Sequence, residues 1–275
     1  MFLVSLVVLI PVVYLISGQP LPFELSQQLD KLLPADGQPT DQFLALAFIA
    51  GALVGATPLH VLLRYMSTVV HELGHAFTAG VLGGRPKNIT IAPSSSGLAV
   101  YQPPISWGRG RASLVSLAGY PAPAVASLAA VQALILGRTI AWFFFATATL
   151  AISILLLIRN LWGFVWTSAV VALAYYASEK LDLKYLAVVV ASIAGYLAIE
   201  SVRHSSQQLS IIKRVQGSGC DAERVAFWWG LPPRLVATSH MIISTAVSCY
   251  ACYLAINPYW DEIFEYVRKF TATST

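Results

Sequence analysis

The sequence predicts an all-α polytopic membrane protein with seven or eight transmembrane helices and a small β-hairpin. Three observations predict this class: few charged residues, long uncharged apolar runs, and one stretch of strand-like alternation. Of the 275 residues, 57% are hydrophobic and 11% are charged, and the mean hydropathy is +0.68. Soluble domains contain about 25% charged residues, so the bilayer must solvate much of this chain.

The uncharged runs define the predicted helices, because a spanning helix needs about 20 largely apolar residues. We predict helices at Phe2–Ser17, Phe43–Val54, Leu59–Leu82, Ala112–Leu136, Ile140–Ile158, Leu161–Tyr176, Tyr185–Ile199 and Leu235–Ile256. Gly119, Pro121 and Pro123 fall inside the fourth of these and are expected to kink it. We expect this kink to pack against the preceding helix.

A different pattern lies between the third and fourth helices. Asn88–Ile91 and Leu98–Tyr101 alternate between polar or small and apolar residues, and Pro93–Gly97 supplies Ser and Gly for a turn. Two alternating runs around such a turn predict a β-hairpin.

The chain reads as a single membrane-embedded domain over residues 1–275. Residues 1–41 form the first helix and an external loop, 42–257 the core and 258–275 a C-terminal tail. The Lys and Arg residues that flank the hairpin, and those between residues 201 and 234, predict that both regions are cytoplasmic. The net charge is +4, but no basic stretch is long enough for nucleic acid. Three cysteines argue against a disulfide scaffold.

One predicted helix carries the sequence His71-Glu72-Leu73-Gly74-His75. Histidines four residues apart share a helical face and reach one metal ion, and the glutamate lies where it accepts a proton from the attacking water. Zinc lowers the pKa of a bound water to about 7. With 5 His in the chain, chance gives this pattern about 0.002 times. Alternatively, the histidines cap carbonyls or lie among headgroups at a helix end.

A hydrolytic zinc site has three protein ligands, so another part of the chain must supply one. The candidates are His60, Asp182, Glu200, His204, Asp221, Glu223 and His240. His60 lies about three turns from His71 along one helix, which is too far. Asp182 is expected on the far face of the membrane, and Asp221 on the same side as the motif. Ser218 and Asp221 also fit a capping box, so a capping role for Asp221 stays open.

Five segments resemble the site-2 protease (M50) metallopeptidases, and in particular the M50B-like branch. They are His71–Ile91, Leu117–Pro123, Ile158–Gly163, Gly219–Ala222 and Gly230–Pro232. The resemblance runs from about residue 67 to residue 229 and implies an intramembrane zinc protease fold. In the wider family a downstream Asp, usually in a Leu-Asp-Gly context, supplies the third ligand.

That context is absent here, since Asp182 is followed by Leu183 and Asp221 by Ala222. Position and the Asp-Ala pattern of the branch favour Asp221 as the third ligand beside the two histidines, with Glu72 as the catalytic base. Asn160, at a membrane boundary, is predicted to bind a substrate backbone or an oxyanion. Its alternative role is that of an interfacial polar residue.

These features predict a zinc-dependent intramembrane endopeptidase in the plasma membrane. Its partners would be the lipid bilayer and a membrane-protein substrate, which it would cut in a transmembrane or juxtamembrane segment near the cytoplasmic face. The hairpin at Ile89–Tyr101 would present a strand edge to that substrate. One alternative is a non-proteolytic scaffold or chaperone that keeps the fold. Another is a transporter, which requires a second charged cluster across the bilayer.

Overall fold

The computed structural model describes residues 41–58, 60–214, 217 and 219–257, and these are mostly helical. In chain order the elements are α1 (Asp41–Ala56), α2 (His60–Val81), β1 (Arg85–Ile91), β2 (Gly97–Gln102), α3 (Arg109–Ala118), α4 (Ala122–Ile135), α5 (Thr139–Leu156), α6 (Leu161–Lys180), α7 (Leu183–Arg214), α8 (Asp221–Trp229) and α9 (Pro233–Ile256). The predicted α-helical class with one small hairpin is confirmed for this part of the chain.

Four helices are long and apolar enough to cross a bilayer, namely α5, α6, α7 and α9. The pair α3 and α4, bent by 63°, makes a fifth span if the two count as one. The described residues therefore do not confirm seven or eight spans. The predicted helix at Phe2–Ser17 lies outside them, α1 has only 16 residues, and a polar stripe lowers the hydropathy of α2.

The break between α3 and α4 replaces the single helix predicted at Ala112–Leu136. It falls at Gly119–Pro121, where the sequence predicted a kink, because proline lacks the amide hydrogen that would continue the helix. The break lies against α2. A Cβ atom added at Gly74 would come 2.7 Å from the Ala122 Cβ and 3.0 Å from the Ala118 carbonyl oxygen. Only a glycine in α2 permits this approach.

Helix α7 is much longer than the helix predicted at Tyr185–Ile199. The polar sequence after Ile199 predicted a loop, but it continues the helix to Arg214. Its polar residues explain why: Ser201, Ser205 and Gln208 recur on one face and are buried. The Ser205 hydroxyl donates to the Ser244 Oγ of α9 at 2.9 Å. A helix can bury these small polar side chains against its neighbours once their hydrogen bonds are made.

The two strands of the hairpin form a sheet, and a very short third segment around Ile158 pairs with β1. Strands β1 and β2 pair antiparallel, with Ile89 opposite Ala99. On the other edge of β1, the Ile89 N–H donates to the Leu157 carbonyl at 2.7 Å, and the Ile89 carbonyl accepts from the Arg159 N–H at 3.1 Å. Both edges of β1 are therefore paired, whereas the outer edge of β2 faces no other strand among the described residues.

Glycines set the distance between α1 and α7. A Cβ at Gly51 would overlap the Ser192 carbonyl, and a Cβ at Gly195 would overlap the Phe48 carbonyl. Gly51 and Gly55 have the Gly-xxx-Gly spacing that lets membrane helices approach closely. Van der Waals packing at short distance therefore holds α1 on the central helix.

We expect Gly195→Val to lower the thermal stability of the purified protein. The added side chain forces α1 away from α7, and overpacking of this kind costs about 1–3 kcal/mol. Thermal unfolding in detergent measures the effect. Gly110→Ala is the matched control, because a Cβ there meets no atom within 4 Å. An unchanged melting temperature for Gly195→Val would contradict the close packing of the two helices.

Candidate metal centre

Helix α2 presents two imidazoles to one point. The Nε2 atoms of His71 and His75 lie 3.1 Å apart. The Nδ1 atom of His75 lies 2.6 Å from the Val115 carbonyl oxygen of α3. A carbonyl only accepts, so Nδ1 carries the hydrogen, and Nε2 of the neutral ring is left with a free lone pair. A ligating histidine is usually oriented in this way.

Asp221 is the first residue of α8, and its carboxylate meets the same point. Its Oδ2 lies 3.5 Å from the His71 Nε2 and 3.2 Å from the His75 Nε2. Burial alone raises the pKa of Asp221. In the metal-free site, hydrogen bonds that the two imidazoles donate to the carboxylate outweigh burial and hold the pKa below its usual range. The carboxylate is therefore ionised at neutral pH, in the form that binds a cation.

The capping role considered for Asp221 receives no support from α8. Cys220 is the N-cap residue and makes no side-chain capping bond. The Glu223 carboxylate accepts the Gly219 N–H at 2.7 Å, so Glu223 satisfies a free amide just before the helix. Ser218, the other member of the predicted capping box, lies outside the described residues.

The spacing of the three ligating atoms fits a zinc ion. Two ligands about 2.05 Å from a tetrahedral ion lie about 3.3 Å apart, and the distances here run from 3.1 to 3.5 Å. Within the described ranges, these three residues are the only cluster of His, Cys, Asp or Glu able to hold a metal. The other candidates from the sequence are not in the cluster: His60, Asp182, Glu200, His204, Glu223 and His240.

Glu72 is buried beside this cluster and contacts strand β2. Its carboxylate accepts a hydrogen bond from the Ala99 backbone N–H. A Cβ at Gly97 would overlap the same carboxylate. The outer edge of β2 therefore lies directly against the glutamate of the motif, and glycine at position 97 leaves room for it.

Gly119 has a role that the sequence did not predict. It was expected to kink the chain and to pack against α2, and it does both. The structure adds that a Cβ at Gly119 would overlap the imidazoles of His71 and His75. The helix break therefore lies directly beside the two candidate ligands. Nothing in the local sequence specifies which atoms of α2 the glycine faces.

Asn160 lies on the sheet and does not join the candidate ligands. Its Oδ1 accepts the Ile91 N–H at 3.0 Å, and its Nδ2 donates to the Ile91 carbonyl at 2.7 Å. The side chain thus imitates a neighbouring strand and continues the edge pairing of β1. The amide keeps a second N–H and a second lone pair, and its contact with a substrate or an oxyanion stays a prediction.

A family comparison agrees with the geometry. Residues 44–251, well over half of the chain, match the family model described as Peptidase M50B-like. Neither the curated proteins nor the solved structures gave a match. The four long apolar helices of this chain indicate an integral membrane protein. The chain belongs to the Peptidase M50B-like family, whose name indicates a membrane metallopeptidase.

Proposed function

We propose that this protein is a zinc-dependent intramembrane endopeptidase. One observation carries the proposal. The ligating atoms of His71, His75 and Asp221 converge at zinc spacing, and the buried carboxylate of Glu72 lies beside them, close enough to interact electrostatically with all three residues. Two neutral imidazoles and one carboxylate leave a tetrahedral ion one open position, as in catalytic zinc sites.

In the proposed reaction Glu72 is the general base. Its carboxylate takes a proton from the attacking water and passes it to the amine that leaves when the peptide bond breaks. A bound zinc ion would supply a Lewis acid and lower the pKa of that water. The hydrogen bond from Ala99 fixes the glutamate side chain before a substrate arrives.

The outer edge of β2 is the proposed binding surface for the substrate. Ile89 uses its N–H and its carbonyl on the segment at 157–159, so it forms a non-hydrogen-bonded pair with Ala99. The backbone groups of Ala99 therefore point to the outer edge of β2, toward Glu72. A substrate segment unwound into a strand would pair with the groups of this edge that Glu72 leaves free, with its peptide bonds next to the base.

The proposed substrates are transmembrane or juxtamembrane segments of other membrane proteins. Asp221, one of the candidate ligands, lies in the basic stretch between residues 201 and 234 that is predicted to be cytoplasmic, which favours cleavage near the cytoplasmic face. Regulated intramembrane proteolysis at the plasma membrane is the proposed setting. We also propose that residues 42–257 form the catalytic core, with residues 1–41 and 258–275 as flanking segments.

A second group of ionisable side chains lies next to the metal centre, and Glu200 is its buried member. The Glu200 carboxylate is 3.2 Å from the Arg203 guanidinium and 3.7 Å from the His204 Nε2. The His204 Nδ1 is 3.4 Å from the Ser67 hydroxyl, one helical turn before His71. A transport pathway needs charged groups spread across the bilayer, whereas these adjoin the candidate ligands. We therefore prefer the peptidase to the transporter.

We expect the wild-type protein to hold about one zinc per chain after purification in detergent. His71→Ala and Asp221→Ala should each lose most of it, because two remaining ligands bind zinc weakly. Elemental analysis of the three proteins measures the metal content. Cys220→Ala is the matched control for Asp221, since its thiol is outside the cluster, and it should keep its zinc. Full zinc in Asp221→Ala would exclude Asp221 as a ligand.

We expect Glu72→Gln to keep its zinc and to lose cleavage of a membrane substrate by about 10²–10⁴-fold, the usual contribution of a general base. The amide occupies the same volume but cannot accept the proton. Cleavage of candidate membrane substrates in liposomes, followed on gels, measures the loss. Cleavage at the wild-type rate would contradict the mechanism. Zinc with no cleavage by the wild type in any screen would instead favour the scaffold alternative.

We expect Gly97→Ala to lower the cleavage rate by about 10²-fold, as a misplacement of about 1 Å can do. The new methyl group must push the Glu72 carboxylate out of position, while the zinc ligands stay in place. Gly108→Ala is the control, because a Cβ there meets no atom within 4 Å. Equal rates for the two variants would show that β2 does not position the base.

A further inference from the structure

The two histidines of the metal centre are oriented in different ways. His75 donates through Nδ1 to the Val115 carbonyl. Among the described residues the His71 Nδ1 has no such bond, and the His71 Nε2 contacts only the atoms of the shared metal point, the His75 Nε2 at 3.1 Å and the Asp221 Oδ2 at 3.5 Å. A histidine ring turns easily about its outer torsion, which has a broad preference. Another contact must therefore fix the plane of His71.

Tyr120 makes that contact. The rings of His71 and Tyr120 meet edge to face, with centroids 4.6 Å apart and planes at 87°. On its own, an edge-to-face aromatic pair contributes about 0.5–1.5 kcal/mol beyond the area it buries. It also prefers one orientation, so it acts on the plane of the imidazole.

Tyr120 is itself held on two sides. Its ring stacks on His240 of α9, with centroids 5.1 Å apart and planes at 18°. Its backbone carbonyl accepts hydrogen bonds from the Ser201 hydroxyl at 2.9 Å and the Ser244 hydroxyl at 3.2 Å. The tyrosine is therefore fixed to α7 and α9 through both its ring and its backbone.

His240 is fixed in turn by Gln208. Its Nδ1 lies 2.8 Å from the Gln208 Oε1, so Nδ1 donates and the amide oxygen accepts. His240 is fully buried and Gln208 nearly so. A buried polar pair of this kind holds its geometry, because breaking it leaves both groups without partners. Consecutive contacts therefore link α7 to α2 through Gln208, His240, Tyr120 and His71.

We propose that Tyr120, His240 and Gln208 are positioning residues that set the ring plane of His71, so that its Nε2 faces the shared metal point. This rests on the proposed zinc function. The stacked rings orient His71, as the Val115 carbonyl orients His75. The tyrosine ring carries the effect, and its hydroxyl is not required. Loss of such support typically weakens metal binding by about 10–100-fold.

The test measures the zinc affinity of the full chain in detergent, by competition with a chelator. Tyr120→Leu and His240→Ala should each bind zinc about 10–100-fold more weakly than the wild type. Tyr120→Phe keeps the ring and should bind within about twofold. Ser248→Ala, at another buried position of α9, is the control for general loosening of the helix. Its hydroxyl donates to the Ala198 carbonyl of α7 at 2.9 Å.

The double variant separates positioning from simple packing. If His240 acts through Tyr120, His240→Ala should add little in the Tyr120→Leu protein, so the two losses should not sum. Cobalt substitution gives a second readout, because the visible spectrum of the ion should change in Tyr120→Leu and stay unchanged in Tyr120→Phe. Should Tyr120→Leu fail to fold, His240→Ala against Ser248→Ala decides the matter.

Three outcomes would overturn the inference: wild-type affinity in Tyr120→Leu, additive losses in the double variant, or weakening by Ser248→Ala equal to that by His240→Ala. Each leaves the proposed function standing, since wild-type zinc is measured in the same series. Absence of zinc from the wild-type protein would instead overturn both proposals.

Discussion

The fold depends on bringing three electron-pair donors together in the interior of a helical protein. The ligating atoms of His71, His75 and Asp221 converge from α2 and α8, two elements far apart in the chain. Without a metal ion, burial opposes the charge of the Asp221 carboxylate, and the two imidazoles must offset that cost. Gly119 leaves room for both imidazoles. The helix break, the glycine beside the histidines and the placement of α8 all serve this one convergence.

The helix α7 supplies the framework against which the site is built. It packs on α1 through glycines that bring the backbones together. Farther along, Ser201 bonds the helix break at Tyr120, and Gln208 reaches His240. The sequence after Ile199 looked too polar for a membrane helix. Its serines and its glutamine donate or accept hydrogen bonds across the contacts with the neighbouring helices and with His240. These contacts also bury the polar side chains.

Sequence alone predicted what depends on local spacing. The helical face shared by His71 and His75 follows from a separation of four residues, and the hairpin follows from alternation around a turn. The position of Asp221 depends on how α8 returns to α2, and no local pattern encodes that return. The bonds from Asn160 to Ile91 escaped prediction because they pair a loop with a strand that is distant in sequence. The span count depends partly on residues 1–40, which the described structure does not include.

Helix α3 fixes the position of α8 and of Asp221 on it. Asp221 stands on a short helix whose flanking glycines, Gly219 and Gly230, both have positive φ, so α8 needs support from outside. Two bonds from α3 supply it: the Arg109 guanidinium donates to the Trp228 carbonyl at 2.9 Å, and the Trp229 indole donates to the Ser113 hydroxyl at 2.7 Å. The same helix orients His75 through Val115. One helix thus holds both a histidine and the carboxylate, and the close packing of α2 on its end brings His71 to them. The position of the Asp221 carboxylate therefore depends on the contacts of α8 with α3.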